Sequence, residues 1–217
     1  MVNRIAGASC LGLCLLAVAG AANADGMFAM GVKAGTTGLG VEAVYGLSDR
    51  WNLRGGLNGF SYGTDFEEEG IDYDADLRLR SAALMADWHV FGGGFRVSAG
   101  AFVNGNELSG LAEGDLDIGD DTYTARMKLD IDWRRFAPYV GIGWGNALKG
   151  SRLSFSADLG VMFTGSPTAR LDARELTGTI DPDLFEADVR REEANLNDEI
   201  SDVKYWPVAT FGVTYRF

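Results

Sequence analysis

The last stretch of this chain constrains its fold most. From Tyr205 to Phe217 the residues alternate: Tyr205, Pro207, Ala209, Phe211, Val213, Tyr215 and Phe217 fall on one side, and Thr210, Gly212, Thr214 and Arg216 on the other. Successive residues of a strand point to opposite faces, so this period gives a strand one apolar and one polar face. Two architectures use such a strand. In a soluble sandwich the apolar rows meet in a core, and in a barrel wall they face lipid while the polar rows face inward. The rest of the chain has to decide between them.

The N-terminus points to export. Arg4 precedes the apolar run Cys10 to Ala19, and Ala22-Asn23-Ala24 supplies small residues before a cut. This pattern predicts a secretory signal peptide over residues 1–24, with the mature chain over 25–217. Cys10 and Cys14 leave with it, so the mature chain holds no thiol, disulfide or cysteine-based metal site. No later run approaches the roughly 20 apolar residues a membrane helix needs. The net charge of −12 argues against nucleic acid as a partner.

The alternation recurs along the mature chain. Phe28 to Ala34 and Leu39 to Tyr45 read as a weak hairpin, and Trp51, Leu53 and Leu57 oppose Asn52, Arg54 and Asn58. Thr64 to Asp76 is densely acidic and reads as a solvated loop, as does Glu113 to Asp121. Leu77 and Leu79 are assigned outward against Arg78 and Arg80, and a change of phase near Ala82, before Leu84 and Trp88, suggests a bulge. Phe95 to Asn104 alternates again. The clearest strand sets Tyr123, Ala125, Met127, Leu129, Ile131 and Trp133 outward against Arg126, Lys128, Asp130 and Asp132. Phe136 to Trp144 and Leu153 to Phe163 follow, and Thr168 to Arg174 supplies a further strand.

Apolar rows that begin or end on aromatic residues suit a lipid-facing wall with interfacial girdles. Thirty glycines suit strands crowded at a curved wall. The predicted fold is all-β: an antiparallel transmembrane β-barrel of about 8–10 strands, even in number so that both termini lie in the periplasm. One segment breaks the pattern. Asp181-Pro182 offers a cap and first-turn proline, and Phe185, Val189, Leu196, Ile200 and Val203 recur at helical spacing, which predicts an amphipathic helix over about 182–203 in the last outer loop. It either closes the mouth as a lid or packs on the rim.

Several stretches together resemble a known group: Asn58-Gly59-Phe60-Ser61-Tyr62, Gly70 to Leu77, Pro138-Tyr139-Val140-Gly141-Ile142-Gly143-Trp144-Gly145-Asn146, and the closing Tyr215-Arg216-Phe217. The chain is similar to the small outer-membrane barrels labelled CarO-type, or ornithine-uptake porins. The resemblance implies an outer-membrane barrel over nearly the whole mature chain. No motif in it reads a substrate.

Catalysis finds little support in the residues. His89 is the only histidine, and although Asp87 shares its face, no nearby serine completes a nucleophile and base. The acids Asp65, Glu67, Glu68, Glu69, Asp72, Asp74 and Asp76 lack the ordered spacing of a calcium loop and read as an electrostatic surface. No enzyme activity, cofactor or metal is expected. The functional candidates are the charges assigned to the lumen: Arg54, Arg78, Arg80, Arg96, Arg126, Lys128, Asp130, Arg152, Asp158, Arg170, Asp172 and Arg174. They either pair across strands and plug the barrel, or leave a hydrated path for small polar or cationic solutes, basic amino acids among them. The expected partners are outer-membrane lipid and lipopolysaccharide, such solutes, and the barrel-assembly machinery through the strand ending at Phe217.

Overall fold

The computed structural model describes residues 27–68, 70–118, 121–177 and 181–217. The predicted signal peptide, its cleavage point, and Glu69 of the acidic run lie outside the described residues. Eleven strands form one antiparallel sheet: β1 (Phe28–Gly35), β2 (Gly38–Gly46), β3 (Trp51–Glu68), β4 (Ile71–Trp88), β5 (Phe95–Asn104), β6 (Glu107–Ile118), β7 (Asp121–Asp132), β8 (Phe136–Trp144), β9 (Leu153–Phe163), β10 (Thr168–Glu175) and β11 (Tyr205–Arg216). Among the described residues a single helix, α1 (Pro182–Ile200), precedes β11. No described helix is long and apolar enough to cross a membrane.

Eight of the strands close into a ring, in the order β1, β2, β3, β4, β5, β8, β9, β11 and back to β1. Closure removes every free edge from the wall, which is what a sheet in hydrocarbon requires. Val32, Leu57, Leu84, Val140, Ile142, Phe155, Leu159 and Phe211 stand exposed around it. A contiguous apolar belt of this kind faces lipid. Aromatic pairs border it, Trp51 stacked on Trp88 at one end and Phe163 against Tyr205 at the other. The first hairpin does cross, and β11 seals the ring on β1 and β9 with its apolar row outward, as its alternation predicts.

The strands outside the ring are β6, β7 and β10. β3 and β4 are each 18 residues long, far beyond the roughly 9–11 that span a bilayer. They pair without interruption from Trp51 opposite Trp88 to Glu68 opposite Ile71. Below Ser81, β4 pairs with β5; above Arg78 it pairs with β6, to which β7 and β10 are added. A platform sheet thus grows from the upper half of the hairpin. Three expectations are corrected here. The described residues of Thr64 to Asp76 belong to paired strands, not a solvated loop, and the described part of Glu113 to Asp121 is likewise strand. No bulge interrupts β4 near Ala82. β7, the clearest alternating strand in the sequence, does not belong to the wall.

The reason lies in the surroundings of the two faces. In the wall, Leu84 and Trp88 point outward and Met85 and Asp87 inward. Above the wall the same two faces continue, but the outer one now meets water and carries Asp72, Asp74, Asp76, Arg78 and Arg80, while the inner one carries Tyr73, Leu77 and Leu79. The chemistry inverts because the strand leaves the lipid, and the geometry does not change.

The helix forms where its pattern predicts, with the Asp181 side chain accepting from the Asp183 N–H at 3.0 Å and Pro182 in the first turn. It neither enters the barrel nor covers its mouth. Phe185 and Val189 pack on the inner platform face among Ala112, Leu116, Ile118, Tyr123 and Ala125. Phe185 meets the Tyr123 ring edge-on at 5.1 Å. The Tyr123 hydroxyl donates to Asp188 at 2.6 Å, and this bond, together with burial, pushes the phenol up to about 12. The protonated phenol is the bonded form, so its contribution is complete below the free-tyrosine value of about 10 and lost as the pH rises toward 12.

Two outcomes follow for the helix. Phe185→Ala should weaken docking by about 3 kcal/mol and open residues 182–200 to limited proteolysis while the barrel keeps its heat-modifiable migration. In hydrogen exchange, Tyr123→Phe should lower α1 protection at neutral pH and abolish the further loss that the unaltered chain shows between pH 10 and 12.

Candidate functional site in the barrel interior

Alternate residues of an eight-stranded wall must fit inside it, and a ring of this size leaves just enough room for side chains. Here they fill the interior in two layers. Toward the end that holds the termini, β1, β2, β3, β4, β5 and β9 contribute Lys33, Glu42, Arg54, Asp87, Arg96 and Asp158, all buried. Three cations therefore meet three carboxylates. Asp158 is the hub: it accepts from Arg54 Nη1 at 2.9 Å and from Arg96 Nη2 at 2.8 and 2.9 Å. Arg54 Nη2 also donates to Asp87 at 3.0 Å, and the Ser98 hydroxyl donates to the same carboxylate at 2.6 Å. Arg96 donates in addition to the Gly145 carbonyl. Glu42 completes the layer at 3.7 Å from Lys33 and 3.6 Å from Arg54. A void of about 10 Å³ beside it has room for roughly one water.

Above this layer the interior holds an apolar cluster, and Asn58, which donates to Ser81 at 3.0 Å, faces inward as well. Met85, Phe102, Ala137, Tyr139, Met162 and Val208 pack together, with Phe102 edge-on to Tyr139 at 5.6 Å. Tyr139 lies flat across its neighbours because Gly141 and Gly160 carry no side chain; a Cβ at either would overlap the Tyr139 hydroxyl. Trp206 packs over the cluster and meets Trp133 at 5.6 Å and 90°. Trp133, expected in the lipid-facing row, instead turns toward the mouth.

Of the sequence candidates, the structure brings Arg54, Arg96 and Asp158 together in the interior. Arg152 is exposed in the turn before β9, at the end that holds the termini. The others lie outside the barrel, on the water-facing side of the platform. There Arg78 is paired with Glu107, Arg126 with Glu113, Lys128 with Asp130, and Arg170 with Asp132, while Arg80, Asp172 and Arg174 are exposed on the same face. Asp130 holds the Lys128 ammonium above its ordinary pKa. The misplacement of the platform residues has one cause: a polar row reads as luminal only while the opposite row is in lipid. The interior partners Lys33, Glu42, Asp87 and Ser98 were absent from the candidate set, although their parity with Arg54 and Arg96 along the alternating strands marks them.

His89 sits in the turn after β4, buried at the floor of the barrel. Its Nδ1 bonds the Gly93 carbonyl at 2.9 Å and its Nε2 the Asn52 amide at 3.0 Å, which fixes a neutral ring donating through Nδ1. Burial pushes its pKa below the usual histidine value. Asp87 and Ser98, the acid and hydroxyl nearest in parity, bond to each other and to Arg54, so the histidine activates neither.

Comparisons with protein-family models and with curated proteins gave no match. Solved structures did match. The crystal structure of Acinetobacter baumannii CarO2 aligns with a TM-score of 0.58 at 21% identity, over 88% of this chain and 98% of that one. That of Acinetobacter baumannii CarO aligns with 0.56 at 22%, over 87% and 97%. The chain has the fold of the CarO-type outer-membrane barrels. The likeness spans nearly all of each CarO chain, so it takes in the platform as well as the wall.

Removing the hub tests the ionic layer. Asp158→Ala leaves two buried arginines with one carboxylate fewer and should cost about 3–5 kcal/mol, measured as a lower urea midpoint of the protein refolded in lipid vesicles. Exchange of the exposed partner in Arg170→Ala should cost no more than about 0.5 kcal/mol.

Proposed function

We propose that this protein is a bacterial outer-membrane barrel, closed to solutes in its resting form, that anchors the platform sheet and its helix at the cell surface. The observation that carries this reading is the double filling of the interior. A solute would have to pass six interlocked charges and then a layer built mainly of apolar side chains. Dehydrating a small cation or amino acid in that second layer costs several kcal/mol, which the few polar side chains there offset only in part. The short turns, Phe28 and Phe217 lie at one end and the platform at the other, and the usual asymmetry of such barrels supports an outer position for the platform.

Passage of small polar or cationic solutes is the second reading, favoured by the two signs of charge around Asp158. It requires Phe102, Met162 and the Trp133–Trp206 pair to move aside.

Planar-bilayer recording of the refolded protein separates the two. The closed barrel gives no unitary steps, and Phe102→Ala combined with Met162→Ala, which hollows the apolar layer but leaves the ionic one, gives steps only when Arg54→Ala and Asp158→Ala are added. Steady unitary conductance in the unaltered protein, reversed in ion preference by altering Arg54 or Arg96, would establish the channel instead.

A further inference from the structure

The platform sheet has two edges, and the chain finishes them differently. At β10 the helix supplies a substitute for a neighbouring strand. The Asn197 amide accepts from Ala169 N–H and donates to Ala169 C=O, both at 2.9 Å, and Glu193 accepts from Leu171 N–H at 2.8 Å. Such capping blocks strand addition.

The opposite edge is the upper half of β3, where β2 has already ended with Leu39 opposite Gly59. On the β2 side the ladder uses odd-numbered residues of β3, as Leu47 N–H donating to Trp51 C=O at 2.9 Å shows. The alternation of an antiparallel strand therefore turns the N–H and C=O groups of Ser61, Gly63, Asp65 and Glu67 outward. No hydrogen bond to them is found among the described residues.

The side chains beside this edge separate by face. Phe60, Tyr62 and Phe66 are 44%, 42% and 48% exposed on one side, with Phe66 stacked on Tyr73. On the other stand Asp65 and Glu67, next to Asp72, Asp74 and Asp76 of β4. Asp65 lies directly opposite Asp74, whose carboxyl is held above its ordinary pKa by local desolvation and by its hydrogen bond to Asp65. The nearest paired arginines on this face are engaged elsewhere, Arg78 by Glu107 and Arg126 by Glu113.

We propose that this edge accepts an added strand from a cationic extended polypeptide in which basic residues alternate with apolar ones. Backbone bonds to Ser61, Gly63, Asp65 and Glu67 hold the added strand. Its period of two lays the basic residues along the acidic row and the apolar ones beside Phe60, Tyr62 and Phe66. A second copy of this chain fits poorly, because it brings its own acidic row to the junction. The inference rests on the platform reading only for the side of the membrane from which the polypeptide comes.

The test uses the full mature chain in neutral detergent and an acetylated heptapeptide alternating lysine and valine. The control is the same peptide with every second residue of D configuration, which keeps the charge but, when extended, sets lysine and valine side chains on one face instead of two. Calorimetry should show binding of the first peptide alone, and hydrogen exchange should slow at residues 61, 63, 65 and 67. Ser61→Pro, which removes an outward N–H and leaves the β4 ladder intact, should abolish that protection. Combining Asp65→Asn, Glu67→Gln and Asp74→Asn should weaken binding about tenfold. Equal binding of both peptides, or binding indifferent to Ser61→Pro, would reduce the effect to charge attraction and overturn strand addition. No binding overturns it too, as does edge protection that appears without peptide and grows with protein concentration. The bilayer recordings are independent of all these outcomes.

Discussion

The structure depends on the neutralisation of buried charge around Asp158. A ring of eight strands gives half of its residues no choice but the interior, and this chain places three cations there. Each is tolerable only because a carboxylate from another strand lies within reach, so the pairs Arg54–Asp158, Arg96–Asp158 and Arg54–Asp87 fix which strands can be neighbours and in what register. β3, β4, β5 and β9 are tied together by side chains as well as by the ladder. A slip of one residue in any of them would put a charge in lipid and leave its partner unpaired inside. The apolar layer above adds packing; the ionic layer adds specificity of arrangement.

The second organising constraint is the point where β3 and β4 leave the membrane. One uninterrupted ladder serves two environments, and only the residue types change along it. In the wall the apolar residues face outward. In the platform they face inward, where α1 covers those of β6, β7 and β10. β4 is the junction, pairing with β5 along its lower half and β6 along its upper half. Its sharing between two neighbours lets a closed barrel carry an open sheet without a linker.

Much of this was legible in the sequence. The alternation of β8, β9 and β11, the aromatic borders, the helix from Pro182, and the resemblance carried by Pro138 to Asn146 all follow from local residues, and the structure agrees with them. Strand assignment failed where local pattern underdetermines environment. Tyr123 to Trp133 alternates better than most of the wall, yet its apolar row is covered by Phe185 and Val189 rather than by lipid. Arg126, Lys128, Arg170 and Arg174 were read as luminal for the same reason. Period gives two faces but does not say which of them meets water; that follows from pairing across the chain, such as β10 on β7, which no short stretch encodes. Within the wall the parity rule was sound, and applied to Lys33, Glu42 and Asp87 it completes the cluster.

The continuity of β3 and β4 has a mechanical consequence. Any pull on the platform is delivered along the axes of two strands that run through it to the opposite end of the barrel. Strands drawn lengthwise past their neighbours must break many ladder bonds together, whereas strands peeled from an end lose them one at a time. The hairpin is therefore loaded in its stiff direction, and the platform behaves as a rigid mast stepped into the hull rather than a flag tied to its rail.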